Sequence, residues 1–162
     1  MVSRKTKQIP YAGANRARIF FDERLRAVKC YRNTQMDGPT GGPRVLILED
    51  EAIIAMDVEG ILTDAGFDVM ATVASCAAAM DWLVADRVDV ALLDLDLLDG
   101  SSDLVARRLN DLGIPFVVFS GSSQKNETIH PVFLTGGWLE KPSPAERIVA
   151  AVRQAVLPEP VA

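Results

Sequence analysis

From Arg44 onward the apolar residues of this chain fall into two alternating rhythms. Val45-Leu-Ile-Leu48 is an unbroken apolar run, the pattern of a strand buried on both faces of a parallel sheet. Ile54, Val58, Ile61, Leu62 and Ala65 then recur at the spacing of one helical face, and Gly66 closes that helix. Phe67 to Val73 reads as a strand, and Ser75 as the N-cap of a helix through Ala85. Val88 to Leu93 is a second apolar strand. Val105, Leu109 and Leu112 mark a third element of helical period, ended by Gly113. Pro115 introduces the strand Phe116-Val-Val-Phe119, and Trp138-Leu139 is a brief last strand. Ser143-Pro-Ala-Glu146 reads as a capping box with Pro at the first helical position, opening a helix that aligns Ile148, Val152 and Val156.

Strand and helix thus alternate five times, which predicts an α/β fold: a doubly wound, five-stranded parallel sheet with helices on both faces. The fourth unit is the weakest. Ser122 to Leu134 offers only Ile129, Val132, Phe133 and Leu134 as apolar anchors and is interrupted by Pro131, so a short or irregular helix is expected there.

Composition changes the picture before Arg44. Residues 1–43 hold nine Lys or Arg against three acidic residues, a balance of +6, whereas residues 44–162 hold eight against nineteen, a balance of −11. Asp37-Gly-Pro-Thr-Gly-Gly-Pro43 reads as a linker. Ile19 to Tyr31 is expected to form a short basic helix with Phe21, Leu25 and Val28 on one face, and Met36 offers a second possible translation start. The expected division is a basic extension and linker over 1–43, one domain over 44–157, and a short tail over 158–162. With 49% hydrophobic and 24% charged residues the chain reads as globular. Its longest apolar runs, four to six residues, fall far short of the roughly 20 needed to span a bilayer. No secretory signal is evident, and Cys30 and Cys76 make neither a disulfide framework nor a metal-ligand pattern. A reducing, cytoplasmic location is therefore expected. The lone His130 excludes a His-rich metal site, and the acidic body disfavours nucleic acid as its partner.

In sheets of this kind ligands bind beyond the carboxyl ends of the strands. The first strand ends in Glu49-Asp50-Glu51, the one from Val88 in Asp94 with Asp96 two residues on, the one from Phe116 in Ser120, and the last in Lys141. Clustered carboxylates repel one another unless a cation sits among them, and oxygen ligands with open water positions suit Mg²⁺. A lysine and a hydroxyl beside them can hold the oxygens of a transferred phosphoryl group, with the remaining carboxylate as nucleophile. Each motif also has a plain structural reading: an acidic triplet favoured by a helix dipole, a turn aspartate, a Ser-Gly turn, a Lys-Pro strand end. Their joint placement at strand ends is what favours a site.

Val45-Leu-Ile-Leu-Glu-Asp-Glu51, Ala91-Leu-Leu-Asp94, Phe119-Ser120-Gly121 and Glu140-Lys141-Pro142 together resemble the receiver domain of two-component response regulators, over Arg44 to about Val156. The resemblance implies a flavodoxin-like fold with strand order 2-1-3-4-5. It implies that Asp94 accepts a phosphoryl group from a sensor histidine kinase or a histidine phosphotransfer protein. Asp50 and Asp94 would ligate Mg²⁺ directly, Glu49 through water, and the backbone carbonyl of Asp96 would complete the protein ligands. Lys141 and Ser120 would hold the phosphoryl oxygens, Ser120 moving inward on activation, and the Lys141–Pro142 bond would be cis.

Departures from the family pattern are visible too. The usual Pro-Gly turn after the acceptor is replaced by Asp96-Leu-Leu-Asp-Gly100, and Ile114-Pro-Phe-Val117 with a weak fourth helix resembles a subset of receivers. The family's dimer face is thereby put in doubt, leaving a monomer or weak dimer as the expectation. Trp138 occupies the place of a switching aromatic, while Asp96 and Ser122 fall where the lifetime of the phosphorylated state is tuned. Two rivals stand beside this reading. Asp94-Leu-Asp96 resembles the Asp-x-Asp of haloacid-dehalogenase-like Mg²⁺ phosphatases, and a receiver-like module that is never phosphorylated is the other. With little chain after the fifth helix, the expected mode of action is state-dependent binding of an unknown downstream protein, or phosphoryl shuttling in a phosphorelay.

Overall fold

The computed structural model describes residues 41–122 and 129–157. The elements, in chain order, are β1 (Arg44–Leu48), α1 (Ala52–Asp64), β2 (Asp68–Val73), α2 (Cys76–Ala85) and β3 (Val90–Leu93). A small hairpin follows, β4 (Asp96–Leu97) and β5 (Gly100–Ser101), then α3 (Asp103–Asp111), β6 (Phe116–Ser120), a turn of 3-10 helix (Pro131–Thr135), β7 (Gly137–Glu140) and α4 (Ala145–Val156). The expected basic helix at Ile19 to Tyr31, most of the linker and the tail lie outside the described residues.

The main sheet has the order β2-β1-β3-β6-β7, every neighbour pair parallel. With the hairpin set aside this is the flavodoxin-like order 2-1-3-4-5. Alternate residues of each strand feed two cores. Leu46, Leu48, Ala91, Leu93, Phe116 and Val118 pack with Leu83 of α2 and Val105 and Leu109 of α3. Val45, Ile47, Val90, Leu92, Val117 and Phe119 pack with Val58 and Leu62 of α1 and Ile148 and Val152 of α4. Both faces being covered explains why these strands are apolar throughout. Burial of each Val, Leu, Ile or Phe among them contributes about 1.5–3 kcal/mol.

Three local expectations change. Ser143 does not cap α4: its hydroxyl donates to the Glu140 carbonyl at 2.6 Å, Pro144 takes the N-cap position, and the helix begins at Ala145. Leu112 sits past the end of α3, at its C-cap. The stretch after Asp94 is a two-stranded hairpin in which Asp96 pairs with Ser101 and Leu97 with Gly100. In the fourth unit the described part is the 3-10 turn, tied to α3 by Asn110 donating to Thr135 at 2.9 Å.

Candidate functional site

The site follows from the register of the central strands. Leu48 of β1 lies opposite Leu93 of β3, so Glu49 and Asp50 leave the sheet beside Asp94. The Asp94 N–H donates to the Leu48 carbonyl at 3.0 Å. Ser120 of β6 lies opposite Glu140 of β7, and the Lys141 N–H donates to the Ser120 carbonyl at 2.9 Å. Four strand ends thereby meet at one edge of the sheet. The Lys141–Pro142 peptide is cis.

Carboxylate oxygens of Glu49, Asp50 and Asp94 all lie within 4.8 Å of one another. Lys141 reaches across from the last strand to join two of them, its Nζ standing 2.6 Å from Glu49 Oε2 and 2.5 Å from Asp94 Oδ2. Its Nζ stands over the Phe119 ring, 5.3 Å from the ring centre. Glu49 is buried, and burial pushes its carboxyl above the usual range, only partly offset by the hydrogen bond and charge of Lys141. For Lys141 the balance runs the other way. Burial pulls the ammonium down, but hydrogen bonds and charge from Asp94 and Glu49 prevail and hold it above its ordinary value. The lysine is therefore a fixed cation among carboxylates. Asp94 Oδ1 accepts from the Leu95 N–H at 2.7 Å and Glu49 Oε1 from the Glu51 N–H at 3.2 Å.

Ser120 is buried at the same edge, its Oγ accepting from the Ser122 N–H at 3.2 Å. Asp96 is exposed, and its carboxylate is outside the acidic trio. Trp138, opposite Val118, packs on the core layer of α2 and α3, which it shares with Trp82. Its indole N–H is buried with no acceptor among the described residues.

Two residues were not singled out from the sequence. Asp99 bridges back to α2, its Oδ1 accepting from the Cys76 N–H at 2.7 Å and its Oδ2 from the Ala77 N–H at 3.0 Å. Ser102 is fully buried under the acceptor strand. The Asp99-Gly100 pair was an available signal for a turn, although the two residues between the paired strands are Leu98 and Asp99. Nothing local marked Ser102.

The donor set suits a hard divalent cation: three carboxylates and no softer ligand. An acidic pair on a central strand, an acceptor aspartate on the next and a lysine from the last strand define a phosphoacceptor-type signalling domain on a doubly wound sheet. The chain belongs to the response regulator receiver domain family, whose model matches residues 45–153. Among relatives, the transcriptional regulatory protein PrrA of Mycobacterium tuberculosis is 32% identical over 123 residues, covering 73% of this chain and 52% of PrrA. The chain thus spans about half the length of that relative. Among solved structures, SdrG from Sphingomonas melonis Fr1 is 29% identical, with a TM-score of 0.61 over 72% of this chain and 98% of SdrG. The receiver domain of a sensor histidine kinase from Pseudomonas aeruginosa, solved with a magnesium ion in its active-site cleft, shares the fold at 19% identity. Its TM-score is 0.62, over 71% of this chain and 98% of that domain. Family membership removes the haloacid-dehalogenase-like alternative, in keeping with an acidic pair just past β1 and Asp94 just past β3. No helix among the described residues is long and apolar enough to cross a membrane.

Proposed function

We propose that Asp94 accepts a phosphoryl group from a sensor histidine kinase or a histidine phosphotransfer protein and that the acylphosphate alters binding of a downstream protein. The observation that carries this reading is Lys141 bridging Glu49 and Asp94. An ammonium has three N–H donors, so with two engaged by Glu49 and Asp94 a third has no partner among the described residues and can meet a phosphoryl oxygen. An Asp94 carboxylate oxygen attacks phosphorus, the P–N bond of the phosphohistidine breaks, and the imidazole leaves with its electron pair and takes up a proton. Ser120 supplies a hydroxyl proton to the incoming oxygens, giving up its contact with the Ser122 N–H.

Glu49, Asp50, Asp94 and the carbonyl of Asp96 are the residues that would hold Mg²⁺, Glu49 through water. When bound, that ion supplies neutralisation of the charge on the transferring oxygens. Withdrawal of Ser120 opens space beside β7, and Trp138 is the aromatic placed to respond. We assign residues 44–157 to the receiver and 1–43 to an extension that phosphorylation does not need. The working state is a cytoplasmic monomer or weak dimer.

The test is incubation with acetyl phosphate, with and without Mg²⁺, followed by intact-mass analysis and phosphate release. A receiver gains one acid-labile phosphoryl group only with Mg²⁺. Turnover of many equivalents would mark an enzyme. No modification would mark a receiver-like module that works unphosphorylated.

A further inference from the structure

We propose that Ser102 is a positioning residue for the phosphoacceptor and that Asp99 anchors the loop which Ser102 closes. The proposal rests on Asp94 being the acceptor. β3 ends at Leu93, and the Asp94 carbonyl beyond it accepts no backbone hydrogen bond from a neighbouring strand among the described residues. A carbonyl in such a place needs a donor. Ser102, fully buried, provides it: its hydroxyl donates to the Asp94 carbonyl at 2.5 Å and also lies 3.1 Å from the Leu95 carbonyl. The Ser102 N–H donates to that second carbonyl at 2.8 Å.

The consequence lies in the planarity of one peptide. The Asp94 carbonyl and the Leu95 N–H belong to the same rigid unit. Fixing the carbonyl from one side therefore aims the N–H on the other, and that N–H holds Asp94 Oδ1 at 2.7 Å. Ser102 thus orients the acceptor carboxylate through the backbone, without touching it. Lys141 takes the opposite oxygen, so both oxygens are preset before any phosphodonor arrives.

The loop between Leu95 and Ser102 carries Asp96 and is braced at its far end. The Leu98 N–H donates to the Ala74 carbonyl at 3.0 Å, and Asp99 receives the first two N–H groups of α2. A carboxylate at a helix N-terminus is favoured by the dipole and by the unsatisfied donors there. The hairpin is in this way clamped to α2 at the position where the family's Pro-Gly turn is missing.

The experiment compares the full chain with Ser102→Ala, Ser102→Thr, Asp99→Ala and, as a stability control, Ser75→Ala, which removes the Ala78 N–H contact of the α2 cap. The first readout is amide hydrogen exchange of the metal-free proteins. Ser102→Ala is expected to expose the Leu95 amide while the Asp94 amide, bonded to Leu48, stays protected. The second is the initial rate of labelling by acetyl phosphate at saturating Mg²⁺, expected to fall by about ten- to a hundredfold on misaiming of the carboxylate. Ser102→Thr should restore both, Asp99→Ala should lower labelling less, and Ser75→Ala should change neither. If Ser102→Ala fails to fold, Asp99→Ala with a parent labelling rate overturns the proposal. So does a Leu95 amide as protected in Ser102→Ala as in the parent, or one lost together with that of Asp94. If the parent itself takes no phosphoryl group, the reading of Asp94 as acceptor fails and the proposal falls with it, whereas a labelled parent with unaffected variants overturns the positioning role alone.

Discussion

Replacing Asp50 by Asn is expected to stabilise the metal-free protein and to cost it its response to Mg²⁺. The Asp50 carboxylate has oxygens within 4.8 Å of those of both Glu49 and Asp94, while Lys141 pairs with those two and not with it. Each like-charge contact at that distance is worth roughly 3.5 kcal/mol at an effective dielectric of about 20 and roughly 0.9 kcal/mol in water. The lysine cancels about one of the two, and the cleft is open to solvent, so a net gain of about 1–2 kcal/mol is expected on removing the charge. For a domain of this size that is a rise in Tm of about 3–10 °C. At a Mg²⁺ concentration of about a hundred times Kd the parent gains about 2.7 kcal/mol that the variant forgoes. The order of stability therefore inverts between EDTA and Mg²⁺, which thermal unfolding followed by circular dichroism reads directly. A variant that melts below the parent in EDTA would mean that Asp50 has an attractive partner. Equal stabilisation of both proteins by Mg²⁺ would mean that Asp50 is not a ligand.

Further outcomes are expected elsewhere in the fold. Burial and the neighbouring Asp99 push the Cys76 thiol from an ordinary 9.0 up to about 11, so in a Cys30→Ser background its thiolate at pH 8 is about a hundredfold scarcer than that of a free thiol. Iodoacetamide should react correspondingly slowly, and because the folded value is the raised one, the thiol's contribution to stability declines as pH climbs from 9.0 to about 11. A rate levelling off near pH 9 would contradict this. A Cβ on Gly136 would run into the ring and carbonyl of Phe116, whereas one on Gly121 meets nothing among the described residues. Gly136→Ala should accordingly cost about 1–3 kcal/mol in urea unfolding, with Gly121→Ala near parent stability. In a Trp82→Phe background, a phosphoryl mimic with Mg²⁺ should change Trp138 emission, and Ser120→Ala should shrink the change; identical emission with bound mimic would sever Ser120 from Trp138.

The three central strands were legible because each is apolar on both faces, so Val45 to Leu48 and Phe116 to Phe119 admit little else. Glu49, Asp50, Asp94, Ser120 and Lys141 were legible because strand order alone brings their strand ends together, and the sheet confirms that order. What escaped depends on contacts between distant elements. Two-residue strands such as Asp96–Leu97 carry no period to detect. Ser143 has the composition of a cap, yet the Glu140 carbonyl takes its hydroxyl. Ser102 matters only because the chain returns beneath Asp94, and a second serine in Ser101-Ser102 announces none of that.

The central claim is that Asp94 is the Mg²⁺-dependent phosphoacceptor, and the most direct measurement compares intact masses of the parent and Asp94→Asn after exposure to acetyl phosphate. With Mg²⁺ the parent should gain the mass of one phosphoryl group, lost again in alkali as an acylphosphate is, and Asp94→Asn should gain none while still folding cooperatively. Equal labelling of Asp94→Asn, or labelling of the parent that persists undiminished in EDTA, would contradict it.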